Sequence, residues 1–497
     1  MTLSSSPYGS SLSLLTDLYQ LTMACGYWKA GIAEREAVFD LTFRSHPFEG
    51  GFSVACGAAR AIEYLKELRF DESDCAYLER LKGNDGARLF DDDFLNRLRG
   101  FDFRCDVDGV PEGTVVFPQE PLVRVQGPLW QAQLLETALL NILNFETLIA
   151  TKAARVALAA EGDPVLEFGL RRAQGVDGGL TASRAAYIGG CAGTSNVLAG
   201  KRFGIPVKGT HAHSWVMAFA SELESFEAYA NAMPGNTILL VDTYDTIEGI
   251  QRAIEVGRKL RARGHELAGI RLDSGDLVKL SIDARHMLDE GGFPSAVIVG
   301  SGDLDEYAIA DLKRRGAKVG VWGVGTRLST GHVDAALGGV YKLSAIRGAA
   351  GAWHYKVKLS EQAVKMSNPG ILQVKRFQQE GRPIADVVFD VPTPPKGEWV
   401  LVDPLDPSLR VAVPEDAQGE NLLVPLFRAG RAVFEPPSAG EARQRALDQV
   451  ASLDARFKRL NDPDVFPVGL EQGLFQIKQE IIAGIKHGEL QKAHGPG

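Results

Sequence analysis

Two glycine-bracketed turns, a set of aspartates and a few arginines carry the chemistry of this sequence. Gly300-Ser301-Gly302-Asp303 and Gly323-Val324-Gly325-Thr326 each follow a short apolar run. Glycines let the backbone approach a phosphate closely, and the exposed N–H groups then bind it. One Gly-x-Gly alone reads as an ordinary tight turn; two on consecutive strands favour phosphate. Asp242, Asp245, Asp273 and Asp276 stand at the ends of neighbouring apolar runs. Converging carboxylates repel one another unless a cation or ligand hydroxyls intervene, and Mg²⁺, which bridges carboxylates and phosphates, suits them. Some of these aspartates also suit helix N-caps, and Asp303, directly before a predicted helix, is read as one. Asp273 and Asp276, bracketing Ser274-Gly275, are read as functional.

His211 and His213 are two residues apart, so an extended strand would point them the same way. A zinc site would need further ligands, and no other histidine ends a run in this region. A lone nucleophilic His213, before a predicted helix whose N-terminus would favour a phosphoryl group on the imidazole, is the better account. Spacing alone leaves a structural or capping histidine equally open. Arg171, Arg172 and Arg271 lie beside these positions. A bidentate guanidinium suits a carboxylate or phosphate, although a salt bridge to a nearby Asp or Glu also accounts for each.

The bulk properties limit the choices. The chain has 497 residues, 45% hydrophobic and 24% charged, which is a globular balance. Its net charge of −9 excludes a broad nucleic-acid-binding face. Five scattered cysteines without a CxxC pair argue against a disulfide framework or a structural zinc. No apolar run reaches the ~18–20 residues of a membrane span. The first twenty residues are Ser-rich without Lys or Arg, unlike a secretory signal. These features predict a cytoplasmic protein.

The elements that must position the chemistry follow from periodicity. Residues 1–145 mix helix and strand signals, with helices at 14–27 and within 130–158. From about residue 163, short apolar runs end in Gly, Asp, Ser or Thr and lead into amphipathic stretches. They lie at 165–169, 188–191, 205–210, 237–242, 267–273, 296–300, 319–323 and 340–346. Strands alternating with helices, such as 247–263 and 304–315, indicate βαβ units and a parallel sheet. Eight runs suggest a barrel, whose working face is at the C-terminal strand ends. After residue 350 prolines punctuate strands and turns, followed by helices at about 440–460 and 470–485 and a loosely ordered tail after 485.

Read in order, these segments resemble the nicotinate phosphoribosyltransferase family. The matching pieces are Leu15-Thr16-Asp17-Leu18-Tyr19-Gln20, Glu167-Phe168-Gly169-Leu170-Arg171-Arg172-Ala173-Gln174-Gly175, Gly193-Thr194-Ser195-Asn196-Val197-Leu198-Ala199-Gly200, Gly209-Thr210-His211-Ala212-His213-Ser214, Arg271-Leu272-Asp273-Ser274-Gly275-Asp276 and Gly323-Val324-Gly325-Thr326. The segments 365–370 and 467–485 resemble the family's closing part. The resemblance implies an α/β fold with an irregular β/α (TIM-like) barrel over 146–350. A flanking α+β domain would be built from 1–145 and 351–497. It implies a homodimer that converts nicotinate and phosphoribosyl pyrophosphate to nicotinate mononucleotide and pyrophosphate, coupled to ATP hydrolysis, with Mg²⁺. It assigns the phosphorylated histidine to His213, ring stacking to Tyr19, nicotinate contacts to Thr210 and Arg271, and a phosphoribosyl contact to Thr326. The expected site is then His213, Asp273 and Asp276 for catalysis, with Tyr19, Arg171, Thr210, Arg271, Ser301, Gly302, Gly323, Gly325 and Thr326 for substrate. The metal ligands stay unassigned. The family usually has an apolar residue where His211 stands, which makes His211 a non-essential position.

Overall fold

The structure, a computed structural model, describes residues 12–486. The start of the Ser-rich N-terminal stretch and the tail after 486 lie outside the described residues. Two compact units are present: Ile149–Ala335, and the described residues up to Leu148 together with those from Ala336.

The unit Ile149–Ala335 is a parallel sheet with helices between its strands. Its strands are β1 (Val165–Glu167), β2 (Gly193–Thr194), β3 (Ile238–Leu240), β4 (Gly269–Leu272), β5 (Val297–Ser301) and β6 (Val321–Val324). Their order is β2-β1-β6-β5-β4-β3, every neighbouring pair parallel. No pairing joins β2 to β3 among the described residues, an order compatible with an irregular barrel that hydrogen bonds do not close. The helices are α1 (Gly175–Ile188), α2 (Val197–Phe203), α3 (His213–Met217), α4 (Glu222–Ala232), α5 (Thr246–Arg261), α6 (Leu277–Glu290), α7 (Glu306–Arg314) and α8 (Thr326–Ser329).

Of the eight apolar runs, three behave otherwise than expected. The run 188–191 is the end of α1 and its turn, and the strand begins two residues later at Gly193. The run 205–210 makes only an isolated bridge, Val207 with Thr194. The run 340–346 belongs to the other unit, where Gly339–Arg347 pairs antiparallel with Glu36–Phe43. Its alternation of Tyr341, Leu343 and Ala345 with Lys342 and Ser344 suits a half-buried antiparallel strand rather than a parallel strand buried on both faces.

Local signals explain the helices. Asp245, Asp276 and Asp305 accept backbone N–H groups at the starts of α5, α6 and α7, which satisfies donors that a helix start leaves unpaired. Basic residues close α5 and α7, where they complement the helix dipole. Leu239, Ile270, Ile298 and Trp322 of the strands and Ile250, Leu260, Leu288 and Ile309 of the helices are all buried. Each such side chain contributes about 1.5–3 kcal/mol.

The other unit holds a seven-stranded antiparallel sheet around Glu36–Phe43 and Pro121–Pro128, and a six-stranded sheet around Leu372–Gln379 and Arg382–Asp390. Its helices include Leu18–Lys29, Ala439–Ser452 and Gln472–Lys486. The boundary between Leu148 and Ile149 falls within the long helix Glu136–Ala159. No helix among the described residues is long and apolar enough to cross a membrane.

Trp322 tests this packing. It is fully buried, and its indole N–H donates to Asp163 Oδ2 at 3.2 Å. Trp322→Ala is expected to lower the unfolding free energy by about 3–5 kcal/mol in a urea titration. A loss below about 1 kcal/mol would place this side chain outside the core.

Candidate active site

Arg271, in β4, organises the C-terminal ends of the strands. Its Nε donates to Ser301 Oγ at 2.8 Å, Nη1 to Thr210 Oγ1 at 3.2 Å and Nη2 to Asp273 Oδ1 at 2.6 Å. Three of the guanidinium's five N–H donors are thereby used, which leaves two for a ligand. The group's carbon lies 5.7 Å from the centre of the Phe168 ring. Burial alone would raise the Asp273 carboxyl. The Ser301 hydroxyl and the Arg271 charge outweigh it and hold the group below its usual 3.8. Asp273 therefore stays ionised at neutral pH.

Asp242, beyond β3, fixes the segment after β4. Its Oδ2 accepts the Asp273 N–H at 2.8 Å and the Ser274 hydroxyl at 2.7 Å. Its Oδ1 is shielded from solvent and meets no hydrogen-bond donor among the described residues.

The glycine turns sit where the chain comes closest to itself. Gly302 has φ +103°, and a Cβ there would lie 2.3 Å from the Asp273 carbonyl oxygen. A Cβ on Gly323 would lie 2.7 Å from the Phe168 ring. Asp303, expected as a helix cap, has φ +44° instead and lines the cavity. Asp305 caps α7 in its place, because the turn is two residues longer than its glycines suggest. On the far side, the buried Glu167 accepts the Gly169 N–H and the hydroxyls of Ser183 (2.9 Å) and Thr194 (2.6 Å). These bonds fix the turn that carries Arg171 and Arg172.

These groups enclose a cavity of about 460 Å³. Arg171, Arg271, Asp273, Ser301, Gly302, Gly323, Gly325 and Thr326 all line it, with Phe168, Arg172 and Asp303. Thr210 reaches it through Arg271. His213 is the first residue of α3, whose five residues are too few for a strong helix dipole. Its Nδ1 lies 3.1 Å from Thr243 Oγ1, and its Nε2 lies 3.9 Å from Asp273 Oδ2; it does not itself line the cavity and meets it only through Asp273.

Besides Thr210 and His213, two expected residues are not among those lining the cavity. Asp276 does not line the cavity; its Oδ1 accepts the N–H groups of Val278 (3.1 Å) and Lys279 (3.3 Å), so the structure makes it the cap of α6. Tyr19 is an exposed residue of Leu18–Lys29, in the other unit. Asp245 likewise serves as a cap, to α5.

The two histidines do not point the same way, because the segment between them is not a strand. His211 is buried, and the Leu240 N–H donates to its Nε2 at 3.2 Å. The proton of the neutral ring therefore sits on Nδ1, 3.4 Å from the Ala212 carbonyl. Tyr229 packs edge-on at 4.8 Å. Neither histidine belongs to a metal-ligating cluster among the described residues. Phe168, Thr243 and Glu167 are the site residues that sequence reasoning missed. Phe168 and Glu167 fall inside a motif that marked them, whereas nothing in the sequence pairs Thr243 with His213.

Comparisons with known proteins agree on one family. The chain matches the nicotinate phosphoribosyltransferase (NAPRTase) N-terminal domain over residues 14–144, the NAPRTase family over 164–349, and the nicotinate phosphoribosyltransferase C-terminal domain over 373–478. A nicotinate phosphoribosyltransferase of Bacillus subtilis is 42% identical over 96% of each chain. The human one is 35% identical over 95% of this chain and 97% of its own. The crystal structure of human nicotinic acid phosphoribosyltransferase superposes with a TM-score of 0.82 at 33% identity, covering 94% of this chain and 99% of that one.

His211 gives a pH test. Burial first, then the Arg271 and His213 charges, lower its pKa below the usual 6.5, against the pull of the Ala212 carbonyl. The unfolded chain thus binds this proton more readily than the folded one. Stability from this group is complete above about pH 6.5 and is lost as the pH falls through the folded value. His211→Leu is expected to flatten the fall in Tm between about pH 6.5 and 5. An unchanged slope in thermal melts of the two proteins would show that His211 titrates normally.

Proposed function

The chain belongs to the nicotinate phosphoribosyltransferase family, and from that premise we propose that it joins nicotinate to phosphoribosyl pyrophosphate, with ATP hydrolysis coupled through a phosphorylated His213. The observation that carries this reading is the Arg271 guanidinium, fixed by three bonds with two N–H groups unused, in the same cavity as both glycine turns. A guanidinium so held suits the nicotinate carboxylate, and the turns suit phosphates.

The chemistry follows from that placement. The pyridine nitrogen forms a bond to the anomeric carbon as the carbon–oxygen bond to pyrophosphate breaks. Positive charge develops on the ribose meanwhile. Arg271 and Thr210 hold the carboxylate end of nicotinate, and Phe168 offers its ring face to the pyridine, so that the nitrogen faces the sugar; this is catalysis by positioning. Arg171 and the N–H groups around Gly302, Gly325 and Thr326 bind the phosphates. Asp273 lies within reach of the ribose hydroxyls or of a cation.

The donors around the cavity are oxygens, as Mg²⁺ requires. Asp273 and Asp303 would hold it, and it would neutralise the departing charge. The imidazole of His213 takes the γ-phosphoryl group of ATP and releases ADP; water later takes the group as phosphate. Thr243 orients the ring for this exchange. Phosphorylation favours binding of the sugar substrate, and hydrolysis favours product release. The cytoplasmic homodimer is proposed on the family resemblance.

The test is to incubate the protein with phosphoribosyl pyrophosphate and Mg²⁺ and to offer nicotinate, nicotinamide or quinolinate, with and without ATP. Nicotinate mononucleotide should form, faster with ATP. His213→Ala should abolish the ATP effect, and Arg271→Ala should cut kcat/KM for nicotinate by roughly 10- to 100-fold, the range for a hydrogen bond to a charged group. Equal use of nicotinamide, or an ATP effect that survives in His213→Ala, would overturn the reading.

A further inference from the structure

Arg327 directly follows the second glycine turn, Gly323 to Thr326, and its place would suit a phosphate ligand. The structure turns it elsewhere. Its Nη1 donates to Asp305 Oδ2 at 2.5 Å, and it is not among the residues lining the cavity. Asp305 is 5% exposed, and its other oxygen accepts the Ala308 N–H at 2.8 Å. The next residue, the fully buried Glu306, is held from the helix Glu136–Ala159 by Lys152 at 2.6 Å and Arg155 at 3.0 Å.

The positions of the two partners matter. Asp305 lies two residues beyond Asp303, which closes the first turn; Arg327 lies one residue beyond Thr326, which closes the second. Strands β5 and β6 run parallel and adjacent. The pair therefore ties both turns together at their roots, and Glu306 anchors the tie to a long helix. The turns need such a tie. Gly302 and Asp303 hold positive φ, and α8 is four residues long with no side-chain cap.

We propose that Asp305 and Arg327 are positioning residues for the phosphoribosyl donor: their ion pair holds the two phosphate-facing turns at one separation, so the backbone N–H groups are arranged before the donor arrives. This rests on the functional reading above. Preorganised donors bind charge without reorganising when it arrives, so loss of the tie falls on donor affinity.

The experiment is a double-mutant cycle. Asp305→Asn keeps a capping oxygen and removes the charge; Arg327→Gln removes the other charge; Arg327→Lys keeps it. KM for phosphoribosyl pyrophosphate is measured at saturating nicotinate, ATP and Mg²⁺, with Tm recorded for each variant. Either neutralising variant should raise that KM about tenfold, and the double variant no further, as expected of residues acting as one unit. The kcat and the nicotinate KM should stay near wild type, and Arg327→Lys should recover most of the loss. An unchanged donor KM in Asp305→Asn overturns the inference. So does a far larger rise in Arg327→Gln, which would make Arg327 a direct ligand, or an equal fall in kcat. Calorimetric titration with phosphoribosyl pyrophosphate reads the same difference without turnover. Folded variants that bind as tightly as wild type refute the tie. A wild-type chain that binds the donor yet makes no mononucleotide overturns only the functional reading, and one that binds no donor overturns both.

Discussion

Arg271 brings a permanent positive charge to a place where its side chain is only 15% exposed, and that charge has to be met. An unpaired ion so placed would be destabilising by several kcal/mol. It is met by Asp273 from the same strand end, by Ser301 from the next strand and by Thr210 from a more distant segment. Each partner sits on a different part of the chain, so one guanidinium sets the spacing of three segments. Asp273 is in turn held through its N–H by Asp242, from a fourth. The site is thus a relay of ties rather than a set of independent side chains, and a shift in one strand end is felt at the others.

Backbone carries as much of the site as side chains do. The glycine positions bring the Asp273 carbonyl and the Phe168 ring within distances that no Cβ would tolerate. Without side chains at these glycines, backbone N–H groups can meet an anion beside the three lining arginines. Such groups lose little conformational entropy when an anion binds. Asp303 holds a positive φ beside Gly302, and ties outside the cavity support the turns: Glu167 beneath the Arg171 turn, and the Asp305–Arg327 pair beyond the other two.

Much of this was legible in the sequence because it depends on local rules. Runs such as 237–242 and 267–273 end in polar residues and precede amphipathic stretches, which marks parallel strands feeding helices. The glycine turns and Arg271 could be read as a phosphate and carboxylate site for the same reason. What was not legible depends on two segments far apart meeting. Thr243 beside His213 and Thr194 beside Glu167 carry no spacing signal. Asp276 and Asp303 show the limit from the other side. Both are aspartates beside a glycine turn, but one caps a helix and the other lines the cavity. The difference lies in a backbone conformation that residue types do not specify. The strand at 339–347 was misplaced because a short apolar run looks alike in either unit; its partner, at 36–43, lies three hundred residues away.

A net charge of −9 does not conflict with a cavity built for anions. Mobile ions screen exposed charges beyond about 8–10 Å, so the cavity responds to what lines it: Arg171, Arg172 and Arg271 against Asp273 and Asp303. The balance there is close. It leaves positive charge for phosphates, but keeps enough carboxylate to receive a cation or a ribose hydroxyl. The histidines divide along the same boundary. His211, buried and accepting a backbone N–H, is kept neutral and adds nothing to the field. His213, half-exposed between Thr243 and Asp273, stands where a phosphoryl group could come and go. Two identical side chains two residues apart thus differ in what they can do because one is buried against Leu240 and Tyr229 and the other is half-exposed beside Asp273.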